Sequence, residues 1–295
     1  MNIVIFFGFA LCLLAAVFIA IRSYRDALAD FVRTPSTEIS RHPERTSIAG
    51  LREICLSAPG EARLAGWYAP SSNRAAIVLI HGTGADRSSL LFETGVLADS
   101  GFGVLALDLP GQGASEGQSS WGGAERLAIM AAVGWLAARE EVDPQRIGGL
   151  GLSMGAYVLA QSAVLDHRLR AVVLAGCPTD VVEQNWVASK KWGWLSQLPT
   201  YWALRASRMP LDMLPKDVVG AIAPRPIFIV GGEFDRVVPA YMARQLFAAA
   251  REPKLLWVVP RAQHVDYARI AAQEYGLRLT EFFGHALLTS EPSQL

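Results

Sequence analysis

Short, nearly continuous apolar runs alternate along this chain with longer amphipathic stretches. The runs are Ala75–Ile80, Val104–Asp108, Arg146–Leu150, Ala171–Ala175, Pro226–Val230 and Lys254–Val259, and strands buried on both faces have this composition. Between most of them lie helix-length segments, predicted at Ser88–Ser100, Ala124–Ala138, Met154–Leu165 and Ala240–Arg251, with a last one at Tyr267–Phe283. The alternation predicts an α/β fold with a mostly parallel central sheet and flanking crossover helices. Two shorter pieces, Glu53–Ser57 and Arg63–Tyr68, flank the turn signal Ala58-Pro59-Gly60 and predict an antiparallel pair at one sheet edge. Between Gly176 and Pro224 the rhythm breaks without a predicted strand, which marks an insertion at about residues 178–223.

The N-terminus follows another pattern. Nineteen residues from Ile3 to Ile21 carry no charge; as a helix they would be about 28 Å long, close to the hydrocarbon thickness of a bilayer. This predicts an N-terminal transmembrane helix as an anchor over residues 1–22, a polar juxtamembrane linker over 23–50 containing Pro35 and Pro43, one folded domain over 51–284 and a tail over 285–295. A cleaved signal peptide competes, with Ala27-Leu28-Ala29 as its site, but no Lys or Arg precedes the run and the run exceeds a usual signal core. Arg22, Arg25 and Arg33 follow the run, so the positive-inside tendency favours a cytoplasmic domain.

Composition narrows the function. Of 295 residues, 52% are hydrophobic and 18% charged, which excludes disorder and small disulfide scaffolds. Twenty-seven basic and twenty-seven acidic residues cancel, so the electrostatic footprint of a nucleic-acid partner is missing. Cys12, Cys55 and Cys177 lack metal-ligand spacing and suggest no disulfide framework. No metal or organic cofactor is implied.

The candidate chemistry centres on Gly151-Leu152-Ser153-Met154-Gly155, a G-x-S-x-G pattern between a predicted strand and a predicted helix. A nucleophile on so tight a turn needs neighbours without Cβ atoms, which Gly151 and Gly155 supply. The same turn offers the Met154 amide and a helix N-terminus to developing negative charge.

With this motif the chain resembles the α/β-hydrolase family, in its serine hydrolase branch, and the rest of that family's pattern follows in order. Gly231-Gly232-Glu233-Phe234-Asp235-Arg236-Val237-Val238-Pro239, after the run ending at Val230, is similar to the family's acid loop, with Asp235 as the triad carboxylate. His264, after the run ending at Val259, stands where the family has its general base. His81-Gly82-Thr83-Gly84 is similar to the oxyanion loop, which implies the Thr83 amide as second donor beside Met154. Asp108-Leu-Pro-Gly-Gln-Gly113 resembles the loop after the next strand. The resemblance spans about residues 51–284 and implies a catalytic triad of Ser153, Asp235 and His264, with attack on a carbonyl through an acyl-serine. A Ser nucleophile in place of Asp disfavours the dehalogenase and epoxide-hydrolase branches.

Alternatives stay open beside these assignments. Glu233 and Asp180 rival Asp235 as the acid; His81 reads as a buttress of the oxyanion loop, and Asp108 as the organiser of its own turn. The insertion, which the resemblance makes a short helical cap, holds Trp186, Trp192, Trp194 and Trp202, half of all the tryptophans. These either pack the cap or line an apolar acyl pocket near a bilayer. Anchor, compact domain and cap together look like membrane-anchored bacterial esterase or thioesterase members, relatives of the group that includes protein depalmitoylases. The expected activity is cleavage of an ester or thioester of a small-molecule or lipid-like acyl substrate. A serine peptidase of the same fold, and an anchored binding protein with a vestigial site, are the alternatives.

Overall fold

In the computed structural model, residues 14–22, 25, 46–58, 62–189 and 210–289 are described. The chain divides into two units: Met1–Arg33 with Val181–Met209, and Thr34–Asp180 with Pro210–Leu295. In the smaller unit a helix spans 14–22 (α1), with Leu14, Val17, Phe18 and Ile21 exposed. Residues 1–13 of the expected transmembrane helix lie outside the described residues, and no described helix is long and apolar enough to cross a membrane. The same unit contains the helix Val181–Ser189 (α5).

The larger unit carries one eight-stranded sheet. Its strands are Arg52–Ser57 (β1), Arg63–Ala69 (β2), Ala76–Ile80 (β3), Gly103–Leu107 (β4), Ile147–Leu152 (β5), Leu169–Ala175 (β6), Ile227–Gly232 (β7) and Lys254–Val259 (β8). They lie in the order β1-β2-β4-β3-β5-β6-β7-β8. The β1–β2 and β2–β4 pairs are antiparallel, and all pairs from β4 to β8 are parallel. The expected antiparallel pair therefore forms one edge. The helices are Leu91–Asp99 (α2), Gly123–Ala137 (α3), Met154–Leu165 (α4), the single turn Pro215–Val218 (α6), Ala240–Ala249 (α7) and Tyr267–Leu288 (α8).

Strand periodicity divides the interior into two layers. Ile77 and Leu79, Leu150 and Leu152, Val173 and Ala175, Phe228 and Val230, and Trp257 and Val259 share one core with Leu97 of α2 and Tyr275, Leu279, Phe282 and Phe283 of α8. Residues of the opposite parity, such as Val78, Val172 and Ile229, are equally buried, on the side where α4 packs against β5 and β6, and α7 against β7 and β8. Full burial of both faces is why these strands read as continuous apolar runs.

Two of the boundaries that differ from expectation change the picture. The strand predicted to end at Leu150 runs on to Leu152, so β5 delivers the chain directly to Ser153. The last helix extends through Leu288 because Phe283 and Leu287 keep packing into the core past Gly284; residues 285–288 thus belong to the domain and not to a tail. Within 178–223 the described regular structure is the helix Val181–Ser189, the turn Pro215–Val218 and the 3-10 turn Val219–Ile222 that continues it, and 190–209 lie outside the described residues.

One buried acid stands out in the α2 layer. Glu93 is buried, and loss of hydration pushes its pKa up to about 7 from 4.5. Nearby Tyr275 offsets only part of that cost, and its hydroxyl falls short of full hydrogen-bond geometry. Below the unfolded value the carboxyl is protonated in both states. Between that value and about 7 the unfolded chain releases a proton that the folded protein keeps, so stability falls as pH rises through this window and then levels off. Glu93→Gln is expected to stabilise the protein at pH 8 by on the order of 2–3 kcal/mol, with the gain shrinking towards pH 5. Urea midpoints of both proteins at the two pH values would check it, and a pH-independent difference would contradict it.

Candidate active site

The site begins where β5 meets α4. Ser153 lies between them at φ 55°, ψ −117°, a backbone conformation that side chains rarely adopt and that surrounding structure must enforce. Two close approaches enforce it. A Cβ on Gly155 would lie 2.3 Å from the carbonyl oxygen of Ile80, and one on Gly151 would lie 2.5 Å from the Ala156 nitrogen. The first turn of α4 is therefore pressed against the end of β3, with only hydrogen at these two positions. Ser153 is further held by its amide, which donates to Ala175 O at 2.8 Å, and by its carbonyl, which accepts from the Tyr157 amide at 3.0 Å.

The loops after β7 and β8 bring the partners. His264 Nε2 is 2.9 Å from Ser153 Oγ, and His264 Nδ1 is 2.7 Å from Asp235 Oδ2. Asp235 Oδ1 accepts from the amides of Val237 and Val238, each at 2.8 Å, which leaves the second oxygen for the imidazole. The carboxylate assigns the tautomer: Nδ1–H donates to Asp235, and the lone pair on Nε2 faces the serine hydroxyl. The Asp235 side chain is fully buried whereas that of His264 is 20% exposed, so the acid is shielded and the base is reachable. The rival acids are engaged elsewhere. Asp180 pairs with Lys216 at 2.7 Å, and Glu233 accepts the Arg261 amide at 2.8 Å.

The loop after β3 closes the other side. A Cβ on Gly82 would come within 3.2 Å of Ser153 Cβ, so Thr83 follows a residue that abuts the serine. Among the described residues neither the Thr83 nor the Met154 amide has a hydrogen-bond acceptor. Two free amides beside a serine can receive the negative oxygen of a tetrahedral adduct. His81 is buried, donates from Nδ1 to Gly82 O at 2.8 Å and accepts the Leu109 amide on Nε2 at 3.1 Å. Burial lowers its pKa, and with both nitrogens occupied it buttresses the loop as a neutral ring.

Asp108 does more than organise its own turn. Its Oδ1 accepts the Arg87 amide at 2.7 Å, its Oδ2 accepts the Ala114 amide at 2.8 Å, and the Arg87 guanidinium pairs with Oδ2. Arg87 is almost fully buried, reaches Glu53 at 3.0 Å and lies over the Trp67 ring at 5.1 Å from its centroid. This strap joins the oxyanion-type loop to β1, β2 and the loop after β4. Sequence patterns missed Arg87, because an isolated arginine in a polar loop carries no spacing signal. Gly176 and Tyr267 escaped notice for the same reason: a methyl at Gly176 would lie 3.3 Å from His264 Cε1 and 3.2 Å from the Tyr267 hydroxyl.

Of the expected pocket residues, Trp186 lies in α5 without a described side chain, and Trp192, Trp194 and Trp202 lie outside the described residues. Among the described residues no group of three or more His, Cys, Asp or Glu side chains could hold a metal ion.

Strand order, elbow and strand-end loops are those of an α/β hydrolase, and comparison with known proteins agrees. The model of the alpha/beta hydrolase family matches residues 77–274. An uncharacterized protein of Mycobacterium tuberculosis, Rv2307c, is 33% identical over 218 residues, 73% of each chain. The uncharacterized YfhR of Escherichia coli is 26% identical over 226 residues, 72% of each chain. Among solved structures, the Pyrococcus furiosus esterase Pf2001 superposes with a TM-score of 0.73 at 21% identity, covering 87% of this chain and 98% of that one. The chain belongs to the alpha/beta hydrolase family.

Asp108→Ala would leave the Arg87 guanidinium buried without its main carboxylate, and breaking a buried pair in this way typically costs about 3–5 kcal/mol. Its urea midpoint is expected to fall accordingly. A midpoint equal to that of the unaltered protein would mean that Arg87 is held by Glu53 and Trp67 alone.

Proposed function

We propose that the protein is a serine hydrolase that cleaves carboxylic ester or thioester bonds of apolar acyl substrates and is held at a membrane by its N-terminal segment. The observation that carries this reading is the hydrogen-bonded line from buried Asp235 through His264 to Ser153. His264 takes the Ser153 proton as Oγ attacks the substrate carbonyl, and Asp235 stabilises the imidazolium that results. The adduct's negative oxygen is received by the Thr83 and Met154 amides, one such donor being worth about 3 kcal/mol of barrier. Collapse expels the alcohol or thiol, which takes the proton from His264 and leaves an acyl-serine. Water, deprotonated by the same histidine, attacks the acyl carbon, and the carboxylic acid departs as Ser153 regains its proton.

A vestigial site fits this geometry poorly, because the carboxylate, imidazole and hydroxyl are hydrogen-bonded in line. The esterase identity of the Pyrococcus protein agrees with ester cleavage, although at 21% identity that likeness reaches only the fold. Membrane attachment draws support from the uncharged run Ile3–Ile21 and from the exposed apolar side chains of α1. In this reading the arginines after the run favour a cytoplasmic catalytic domain.

Ser153→Ala is expected to abolish both ester hydrolysis and labelling by a fluorophosphonate probe, and Asp235→Asn to lower kcat by about 10⁴-fold through the wrong histidine tautomer. Full activity in Ser153→Ala would refute the nucleophile. Across p-nitrophenyl esters from acetate to palmitate, kcat/KM is expected to rise by about tenfold or more with chain length, since each buried methylene contributes about 0.8 kcal/mol. A strict preference for acetate would argue against an apolar acyl pocket.

A further inference from the structure

The sheet-bearing unit exposes few large apolar side chains, and they are unevenly distributed. Among its described residues these are Leu127, Leu165, Phe234, Val237, Tyr241 and Leu277. Three of the six fall within the eight residues from Phe234 to Tyr241, the stretch that contains Asp235. Phe234 is 57% exposed, and Val237 and Tyr241 are each 40% exposed. Scattered apolar residues on a surface are ordinary, whereas a local concentration marks a surface that meets something.

The loop is built to hold Phe234 and Val237 outward, and Tyr241 follows on the first turn of α7. Asp235 turns inward, and its Oδ1 gathers the amides of Val237 and Val238. The Phe234 amide donates to Ala262 O at 2.8 Å, and the Arg261 amide donates to Glu233 at 2.8 Å, so the turn around Arg261 is tied alongside. Tyr241 and Arg244 are three residues apart on α7 and share a face. Arg236 precedes Val237, Arg244 shares a helix face with Tyr241 and Arg261 belongs to the turn tied alongside, and all three are exposed. Among the described residues no carboxylate forms an ion pair with the guanidinium of any of these three, although exposed Arg269 and Arg278 elsewhere are matched to Asp266 and Glu274.

We propose that this rim, Phe234, Val237 and Tyr241 together with the exposed Arg236, Arg244 and Arg261 of the same segments, docks onto the headgroup region of an anionic phospholipid bilayer. Aromatic and aliphatic tips enter the headgroup–acyl boundary while the arginines meet lipid phosphates, the division of labour found in interfacial segments. Three exposed guanidiniums without an ion pair among the described residues favour an anionic lipid surface over a second copy of this chain, whose charges sum to zero. The rim follows β7, and Ser153 and His264 follow β5 and β8 at the same edge of the parallel sheet. Docking therefore turns the mouth of the site towards acyl chains in the bilayer. The proposal rests on the reading of Ser153 as an acyl hydrolase, and it specifies where that enzyme meets its substrate. It is a contact separate from the N-terminal segment.

The test uses the full-length protein in a Cys12→Ser, Cys55→Ser background, with an environment-sensitive nitrobenzoxadiazole label on Phe234→Cys or, as control, on Leu277→Cys. Emission from position 234 is expected to shift to the blue and to be quenched by spin-labelled lipid in vesicles containing about 30% phosphatidylglycerol, at least about twofold more than in phosphatidylcholine alone. Position 277 should respond to neither. Equal responses at the two positions, or a shift at 234 that follows protein concentration without vesicles, would overturn the proposal, the latter in favour of self-association. As a second measure, Tyr241→Ser/Arg244→Glu is expected to hydrolyse a water-soluble short-chain ester within about twofold of the parent rate, yet to lose about fivefold or more on a long-chain ester embedded in anionic vesicles. Equal rates on the embedded ester would count against docking. Absence of any ester turnover in the unaltered protein would overturn the hydrolase reading instead, and the label would then decide the docking surface by itself.

Discussion

The whole site depends on the contact between the first turn of α4 and the end of β3. There a helix approaches the carbonyl of Ile80 so closely that a single methyl at Gly155 would overlap it, and that approach holds Ser153 in its unfavourable left-handed conformation. The cost of such a conformation, of order 1–3 kcal/mol, is sustained by the packing around it. Burial of α4 on both strands beside it, β5 and β6, anchors the helix against recoil. Because the strain is carried by a buried helix, the serine points its hydroxyl at His264 without needing a flexible loop to hold it.

The remaining parts converge on that fixed point from four other strand ends, each with its own restraint. Asp235 is oriented by two backbone amides, His264 by Asp235, and the loop around Thr83 by His81, Leu109 and the buried Arg87–Asp108 pair. Polar groups dominate these restraints because the loops lie where the apolar sheet ends and backbone amides need partners. The Arg87–Asp108 pair brings two charges almost wholly out of water. Hydrogen bonds from the Arg87 and Ala114 amides to Asp108, and the pairing of Arg87 with the half-exposed Glu53, offset part of that desolvation.

Much of this was legible from residue order. The apolar runs located the six strands from β3 to β8 to within two residues at either end, since strands buried on both faces leave an uninterrupted signal, and a turn signal located β1 and β2. The pairing of G-x-S-x-G with a strand and a helix located the elbow, and the acid loop and His264 followed from family resemblance. Less was legible at the helix ends: α8 continues through Gly284 because packing of Leu287 outweighs a local weak point. The choice of Asp235 over Glu233 and Asp180 needed coordinates, as did the position of Arg87, because neither follows from periodicity.

By itself, the sequence determined the class of fold, the order of the strands along the chain, the net neutrality of the chain and the residue types able to form an acyl-transfer triad. These are properties of local composition and spacing, to which the hydrophobic effect and turn stereochemistry respond directly. Only the tertiary structure decided which carboxylate meets His264, that His81 is a neutral strut, that Arg87 and Asp108 strap the oxyanion-type loop, and that Phe234, Val237 and Tyr241 are exposed near three arginines with no ion pair among the described residues. Each of these depends on distances between residues far apart in the chain, and hydrogen-bond and charge energies fall off over a few ångströms in ways that no one-dimensional pattern records.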